Sequence, residues 1–251
     1  MALLEVSGLA RGFYGVQAVR GADFTVGAGT ITALIGPNGA GKTTTFQCIS
    51  GVIRPDGGRV RFAGQDITGW PADRITRAGL TRSFQIARGI SRLSVLDNLM
   101  LYAPDQPGEG VLSALSGTGR PREAEIHDRA IAIARRLNLL AVASNPAGAL
   151  SGGQKKLLEI GRALMAEPRL ILLDEPIAGV NPSLAETIAA HLASLRDDGM
   201  SFLVIEHHMD LIAKLCDPVI VMAEGRVLAE GSFTAIADNP AVREAYLGAR
   251  R

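Results

Sequence analysis

Gly36-Pro37-Asn38-Gly39-Ala40-Gly41-Lys42-Thr43 fits the pattern G-x-x-x-x-G-K-[ST], with glycines where main chain has to approach a phosphate closely. Thr30-Ile31-Thr32-Ala33-Leu34-Ile35 precedes it as a short β-rich apolar run, and Thr43 to Ser50 follows as a helix that ends at Gly51. Strand, glycine loop and helix therefore come in the order a phosphate site requires. Backbone N–H groups can wrap the anion, and Lys42 supplies a point charge for the β- and γ-phosphates. The Thr43 hydroxyl is placed to ligate Mg²⁺, and the helix directs its positive end at the nucleotide. The expected ligands are ATP and Mg²⁺, held by the eight quoted residues together with Thr44.

Two further stretches complete the constellation. Leu170-Ile171-Leu172-Leu173-Asp174-Glu175 ends an apolar run in two carboxylates, which in a parallel sheet emerge at the carboxyl edge beside the phosphate loop. Asp174 is expected to hold Mg²⁺ through a water, and Glu175 to polarise the water that attacks the γ-phosphate. Leu150-Ser151-Gly152-Gly153-Gln154 precedes a helix with apolar positions Leu157, Leu158, Ile160 and Leu164. Ser151 is a natural N-cap, and the paired glycines leave main-chain N–H groups bare for an anion. Such a terminus stabilises a partly buried negative charge by up to ~2 kcal/mol.

Composition bounds the class. With 251 residues, 47% of them apolar, the chain can bury a full core as one large domain or a domain with a lobe. Lys and Arg total 26 against 25 Asp and Glu, so the formal charge of +1 offers no global basic field for nucleic acid or anionic lipid. Cys48 and Cys216 lie far apart and in no C-x-x-C spacing, which implies a reduced, cytosolic setting. No apolar run approaches the ~20 residues needed to cross a bilayer, and the N-terminus lacks a charged start followed by a long apolar stretch. The expectation is a protein that neither spans a membrane nor is exported.

Apolar runs recur at Ile31 to Ile35, Leu170 to Leu173, Phe202 to Ile205 and Val219 to Met222 without alternation, as parallel strands covered on both faces require. Leu184, Ile188, Leu192 and Leu195 fall on one helix face between them. The first ~30 residues and Gly58 to Gly64 alternate instead, which predicts an antiparallel sheet. From about Ile86 to Lys156 the strand signal disappears, and Ile126, Ile133, Leu137 and Leu140 recur at helical spacing. Ala103 to Arg122, rich in Gly, Pro and Ser, reads as an excursion within that helical region. The predicted layout is a single domain over 1–251. Residues 1–85 and 157–251 form an α/β core with a β subdomain, and 86–156 an inserted helical lobe that carries Ser151 to Gln154.

Together these motifs resemble the nucleotide-binding subunit of an ABC transporter, almost end to end. The resemblance implies an α/β fold with a P-loop NTPase, RecA-like core, an antiparallel β subdomain and an inserted α-helical subdomain. It also implies that Ser151, Gly152, Gly153 and Gln154 contact ATP bound by a second ATPase subunit, identical or paralogous. Gln85 matches the glutamine that touches Mg²⁺ and the attacking water, and His207 the switch histidine on the γ-phosphate, ahead of its neighbour His208. Phe13 matches the aromatic that stacks on adenine, with Tyr14 as the alternative one residue on. Asn181 stands in the segment that crosses between subunits, where many relatives carry aspartate.

Asp174 to Pro182, Ile205-Glu206-His207 and the end Asp238 to Gly248 are similar to ATPases of the branched-chain amino acid importers. Such a subunit hydrolyses ATP as a peripheral protein on the cytoplasmic face of the inner membrane. It works with permease subunits and, indirectly, with a periplasmic or extracellular solute-binding protein, and binds no nucleic acid. Alternatives are the ATPase of a urea or amide importer, that of lipopolysaccharide export, a soluble non-transport ABC ATPase, and a kinase-like phosphate-binding enzyme. Asn181 and Gln154 favour the importer.

Overall fold

Along the chain, a computed structural model that describes residues 2–83, 91–104, 106 and 120–248 runs first through β1 (Ala2–Phe13), β2 (Val16–Gly27), β3 (Ile31–Ile35) and α1 (Lys42–Ile49). Then come β4 (Gly57–Phe62), β5 (Gln65–Asp66), α2 (Ala72–Arg77), β6 (Leu80–Arg82) and α3 (Val95–Met100). Next are α4 (Arg120–Arg136), α5 (Gly152–Met165), β7 (Leu170–Asp174), α6 (Pro182–Asp197) and β8 (Ser201–Ile205). The last are α7 (Met209–Leu215), β9 (Val219–Ala223), β10 (Arg226–Gly231), α8 (Phe233–Asp238) and α9 (Pro240–Gly248). The chain divides into two units. One comprises the residues to Arg82, Arg169–Ala178 and those from Ala185 on, and the other Ser83–Pro168 and Gly179–Leu184.

In the first unit the four unbroken apolar runs become β3, β7, β8 and β9, interior strands of a six-stranded sheet ordered β10-β9-β3-β8-β7-β6. All their mutual pairings are parallel, and only the edge pair β9–β10 is antiparallel. Every residue of β3 and β8 is buried, the physical reason such strands show no alternation. The alternating segments form a second, antiparallel sheet, β2-β1-β4-β5. One core joins Leu4, Val6, Val60 and Phe62 of that sheet to Phe46 and Ile49 of α1 and to Leu34, Leu172, Leu203 and Ile220 of the parallel sheet. Cys48 and Cys216 are buried thiols, pushed up by desolvation to about 11 and about 12.

The second unit is helical. Gly161 of α5 has no side chain, and a Cβ there would meet Leu99 of α3, Ile133 of α4 and Leu137 within about 3 Å, so the helices close tightly at that point. The predicted stripe through Ile126, Ile133, Leu137 and Leu140 holds only in part. Ile126 and Leu137 are buried, whereas Leu140 is exposed and Leu139 takes the interior place. The helix stops at Arg136, and Asn138 takes a left-handed conformation (φ 56°), so the 3.6-residue period no longer applies beyond it. Helix α5 runs unbroken from Gly152 to Met165, and the unit boundary falls after Pro168, where the sequence reading places it at 156.

Candidate functional site

The phosphate loop lies between β3 and α1, and two of its glycines are compulsory. Gly36 sits at φ 147°, where a Cβ would lie 2.0 Å from the Met222 carbonyl oxygen. At Gly41 (φ 97°) a Cβ would lie 2.4 Å from the carbonyl oxygen of Ala18. Gly41 is also the N-cap of α1 and has no side chain with which to cap it, so the first-turn N–H groups remain for a ligand. Asn38 to Thr44 line a cavity of about 340 Å³ together with Ala18, Glu175, Ile205 and His207.

Lys42 is buried and its Nζ donates to the carbonyl oxygens of Gly36 (2.7 Å) and Pro37 (3.0 Å), folding back on its own loop. Desolvation lowers its pKa, while the carboxylates of Glu175 and Asp174 oppose that shift. A cation held by neutral carbonyls in a polar-lined hollow can exchange those acceptors for phosphate oxygens without moving its backbone.

The carboxylates arrive from the neighbouring strand end. Asp174 is the last residue of β7 and pairs in register with Ile205 of β8; Glu175 continues the contact, its N–H donating to the Ile205 carbonyl at 2.9 Å. Glu175 adopts φ 50°, a conformation costly for a non-glycine residue. Its Oε1 lies 3.2 Å from Nε2 of His207. Asp174 is engaged elsewhere: Nη2 of Arg82, at the end of β6, donates to its Oδ2 at 3.1 Å. Arg82 is a residue the sequence reading missed. The pairing joins positions 92 apart through the β6–β7 adjacency, for which no local pattern exists.

Mg²⁺ fits this donor set. A hydroxyl at Thr43 and a carboxylate at Asp174 suit a hard cation that takes most of its ligands from phosphates and water. Among the described residues no group of three His, Cys, Asp or Glu forms an all-protein cage. Gln85, the third expected ligand, lies outside the described residues.

Phe13 is not among the residues lining the cavity. It ends β1, 36% exposed, on the hairpin whose Ala18 does line it, with the Arg11 guanidinium 4.9 Å from its ring centroid. Tyr14, at the hairpin turn, is fully exposed.

In the helical unit, Ser151 and Gln154 form a reciprocal capping box at the start of α5. The Gln154 N–H donates to Ser151 Oγ at 3.3 Å, and the Ser151 N–H to Gln154 Oε1 at 3.0 Å. Ser151 accepts in this arrangement, so its hydroxyl proton stays available to an anion. The two glycines differ. A Cβ at Gly152 would meet nothing within 4 Å, whereas one at Gly153 would overlap the side chain of Leu184. Asn181 caps α6, its Oδ1 accepting from the Leu184 N–H at 2.9 Å, a task aspartate performs equally well. Replacing Ser151 with Ala removes one cap, and we expect about 1 kcal/mol of destabilisation, or about 2–4 °C in melting temperature. A thermal melt of the purified chain checks it.

Comparison with known proteins gives a consistent picture. The ABC transporter family matches residues 19–178, and the family described as branched-chain amino acid ATP-binding cassette transporter matches 226–251. A probable branched-chain amino acid transport ATP-binding protein LivG of Archaeoglobus fulgidus is 42% identical over 250 residues, covering 100% of this chain and 97% of that protein. The high-affinity branched-chain amino acid transport ATP-binding protein BraF of Pseudomonas aeruginosa is 39% identical, over 98% of each chain. Among solved structures, an ATP-binding cassette of an ABC transporter in its ADP conformation superposes with a TM-score of 0.88 at 38% identity over 99% of both chains. A nucleotide-free cassette gives 0.87 at 37%, over 98% of this chain and 99% of that one.

Proposed function

This chain belongs to the ABC transporter ATPase family, and on that premise we propose that it is the ATP-binding subunit of an importer for branched-chain or related amino acids. The observation that carries the ATPase reading is the convergence of Lys42, Glu175 and His207 on one cavity. The match of residues 226–251 to the branched-chain family supports the choice of branch.

The chain's own residues divide the work. First-turn amides of α1 and Lys42 bind the triphosphate, Glu175 orients and deprotonates the attacking water, and His207, beside that carboxylate, donates to the γ-phosphate. Mg²⁺, when bound, would be held by Thr43, Asp174 and Gln85 and would neutralise charge between the β- and γ-phosphates. Phe13 supplies a π face for adenine. Ser151, Gly152, Gly153 and Gln154 serve a nucleotide bound by a second ATPase subunit, so each site needs two chains. Closing that pair drives permease subunits at the cytoplasmic face of the membrane, to which a solute-binding protein delivers the cargo. ATP shifts the open–closed balance only by its differential affinity for the closed state, which the contacts from the second chain supply.

The test is co-purification from membranes with partner permease subunits, followed by uptake of leucine, isoleucine and valine into proteoliposomes loaded with ATP. ATP-dependent uptake of these amino acids is expected. Uptake of urea or an amide in their place would assign the chain to a different branch, and a chain that recovers no permease would belong to the soluble ATPases.

A further inference from the structure

Glu206 follows β8 directly and is 1% exposed, yet it is a carboxylate. Its Oε1 accepts the Ile177 N–H at 3.2 Å; its Oε2 accepts the N–H groups of His207 (2.8 Å) and His208 (3.4 Å) and lies 3.2 Å from Nδ1 of His208. Burying such a group is unfavourable unless its lone pairs are filled, and three of these four partners are main-chain amides. The carboxylate therefore ties two loops to one point. Ile177 lies two residues past Glu175, and His207 is the next residue after Glu206.

A second tie runs parallel to it, the Glu175 N–H to the Ile205 carbonyl at 2.9 Å. Between them the two ties hold Glu175 in its left-handed conformation and fix the 3.2 Å approach of its carboxylate to the His207 ring. From this we infer that Glu206 is a positioning residue, which sets the geometry between Glu175 and His207 by clamping the chain after β7 to the chain after β8. The inference rests on the proposed role of His207 at the γ-phosphate.

Glu206→Gln is the discriminating change, because it keeps the shape and alters one acceptor. With the amide oxygen facing His207 and His208, the three Oε2 contacts survive and an NH₂ group is set against the Ile177 N–H, donor against donor. We expect kcat to fall about ten-fold with the KM for ATP unchanged within about two-fold, since misplacement and not binding is at stake. Amide hydrogen exchange of the nucleotide-free protein should speed up at Ile177 and not at His207. In the double-mutant cycle, Glu206→Gln should slow His207→Ala by less than it slows the wild type, because part of its effect acts through that ring.

Wild-type turnover and exchange in Glu206→Gln, or losses that simply multiply in the double mutant, would overturn the inference while the site reading stands. Turnover at the wild-type rate in His207→Ala would sink the site reading and the inference together. Should Glu206→Gln fail to fold, Glu206→Asp keeps the charge and draws it back by one methylene from the Ile177 and His207 N–H groups. A two- to three-fold lower kcat that is non-additive with His207→Ala supports the clamp, and an unchanged kcat overturns it.

Discussion

Replacing Glu175 with Gln is expected to cut ATP turnover by roughly 10²–10⁴-fold while leaving ATP binding intact, the range a positioned general base contributes. The amide matches the carboxylate in size and can still meet His207 Nε2 through its oxygen, so the 3.2 Å contact and the backbone at φ 50° need not change. What disappears is the capacity to take a proton from water. One opposing charge near Lys42 also disappears, which favours binding of the polyanion. The variant should therefore accumulate an ATP-held pair of chains, visible as an ATP-dependent shift in size-exclusion chromatography alongside a silent phosphate-release assay. Turnover at the wild-type rate would remove Glu175 from the mechanism.

Lys42→Ala is expected to fail at the opposite step. The buried ammonium makes two hydrogen bonds to its own loop, at 2.7 and 3.0 Å, and these are the donors a triphosphate would receive. A hydrogen bond to a charged group contributes about 1.5–3 kcal/mol, so ATP affinity should fall roughly ten- to hundred-fold. The loop also loses the cation that holds the Gly36 and Pro37 carbonyls together, which adds a penalty for ordering it around the ligand. Titration with a fluorescent ATP analogue reads the loss directly. An unchanged dissociation constant would show that the first-turn amides of α1 suffice and that Lys42 acts only later in the cycle. Together the two variants separate grip from chemistry, since one removes binding and the other removes only turnover.

Much of this is legible in the sequence, and the exceptions share a cause. The loop from Gly36 to Thr43 and the cap from Ser151 to Gln154 are read from the sequence because their interactions close within a few residues. A glycine's positive φ and a box from i to i+3 are local, although the Met222 and Ala18 carbonyls that also exclude a Cβ at Gly36 and Gly41 come from distant strands. The four buried strands are readable for a similar reason, since a strand covered on both faces shows no alternation. The helix face from Ile126 to Leu140 was readable only as far as Arg136, because a period says where a stripe runs and not where Asn138 breaks it.

What the residues determined alone was therefore the list of chemical parts: a phosphate cradle, a cation, two strand-end carboxylates and a capped helix start. What the tertiary structure decided was which of those parts meet. Glu175 faces His207, Arg82 takes Asp174, Leu184 covers Gly153, and Glu206 reaches back 29 residues to the Ile177 amide. Three of these four meetings rest on the order and register of strands β6, β7 and β8, and register is set by the packing of whole faces, a sum over the core that no local stretch of sequence contains.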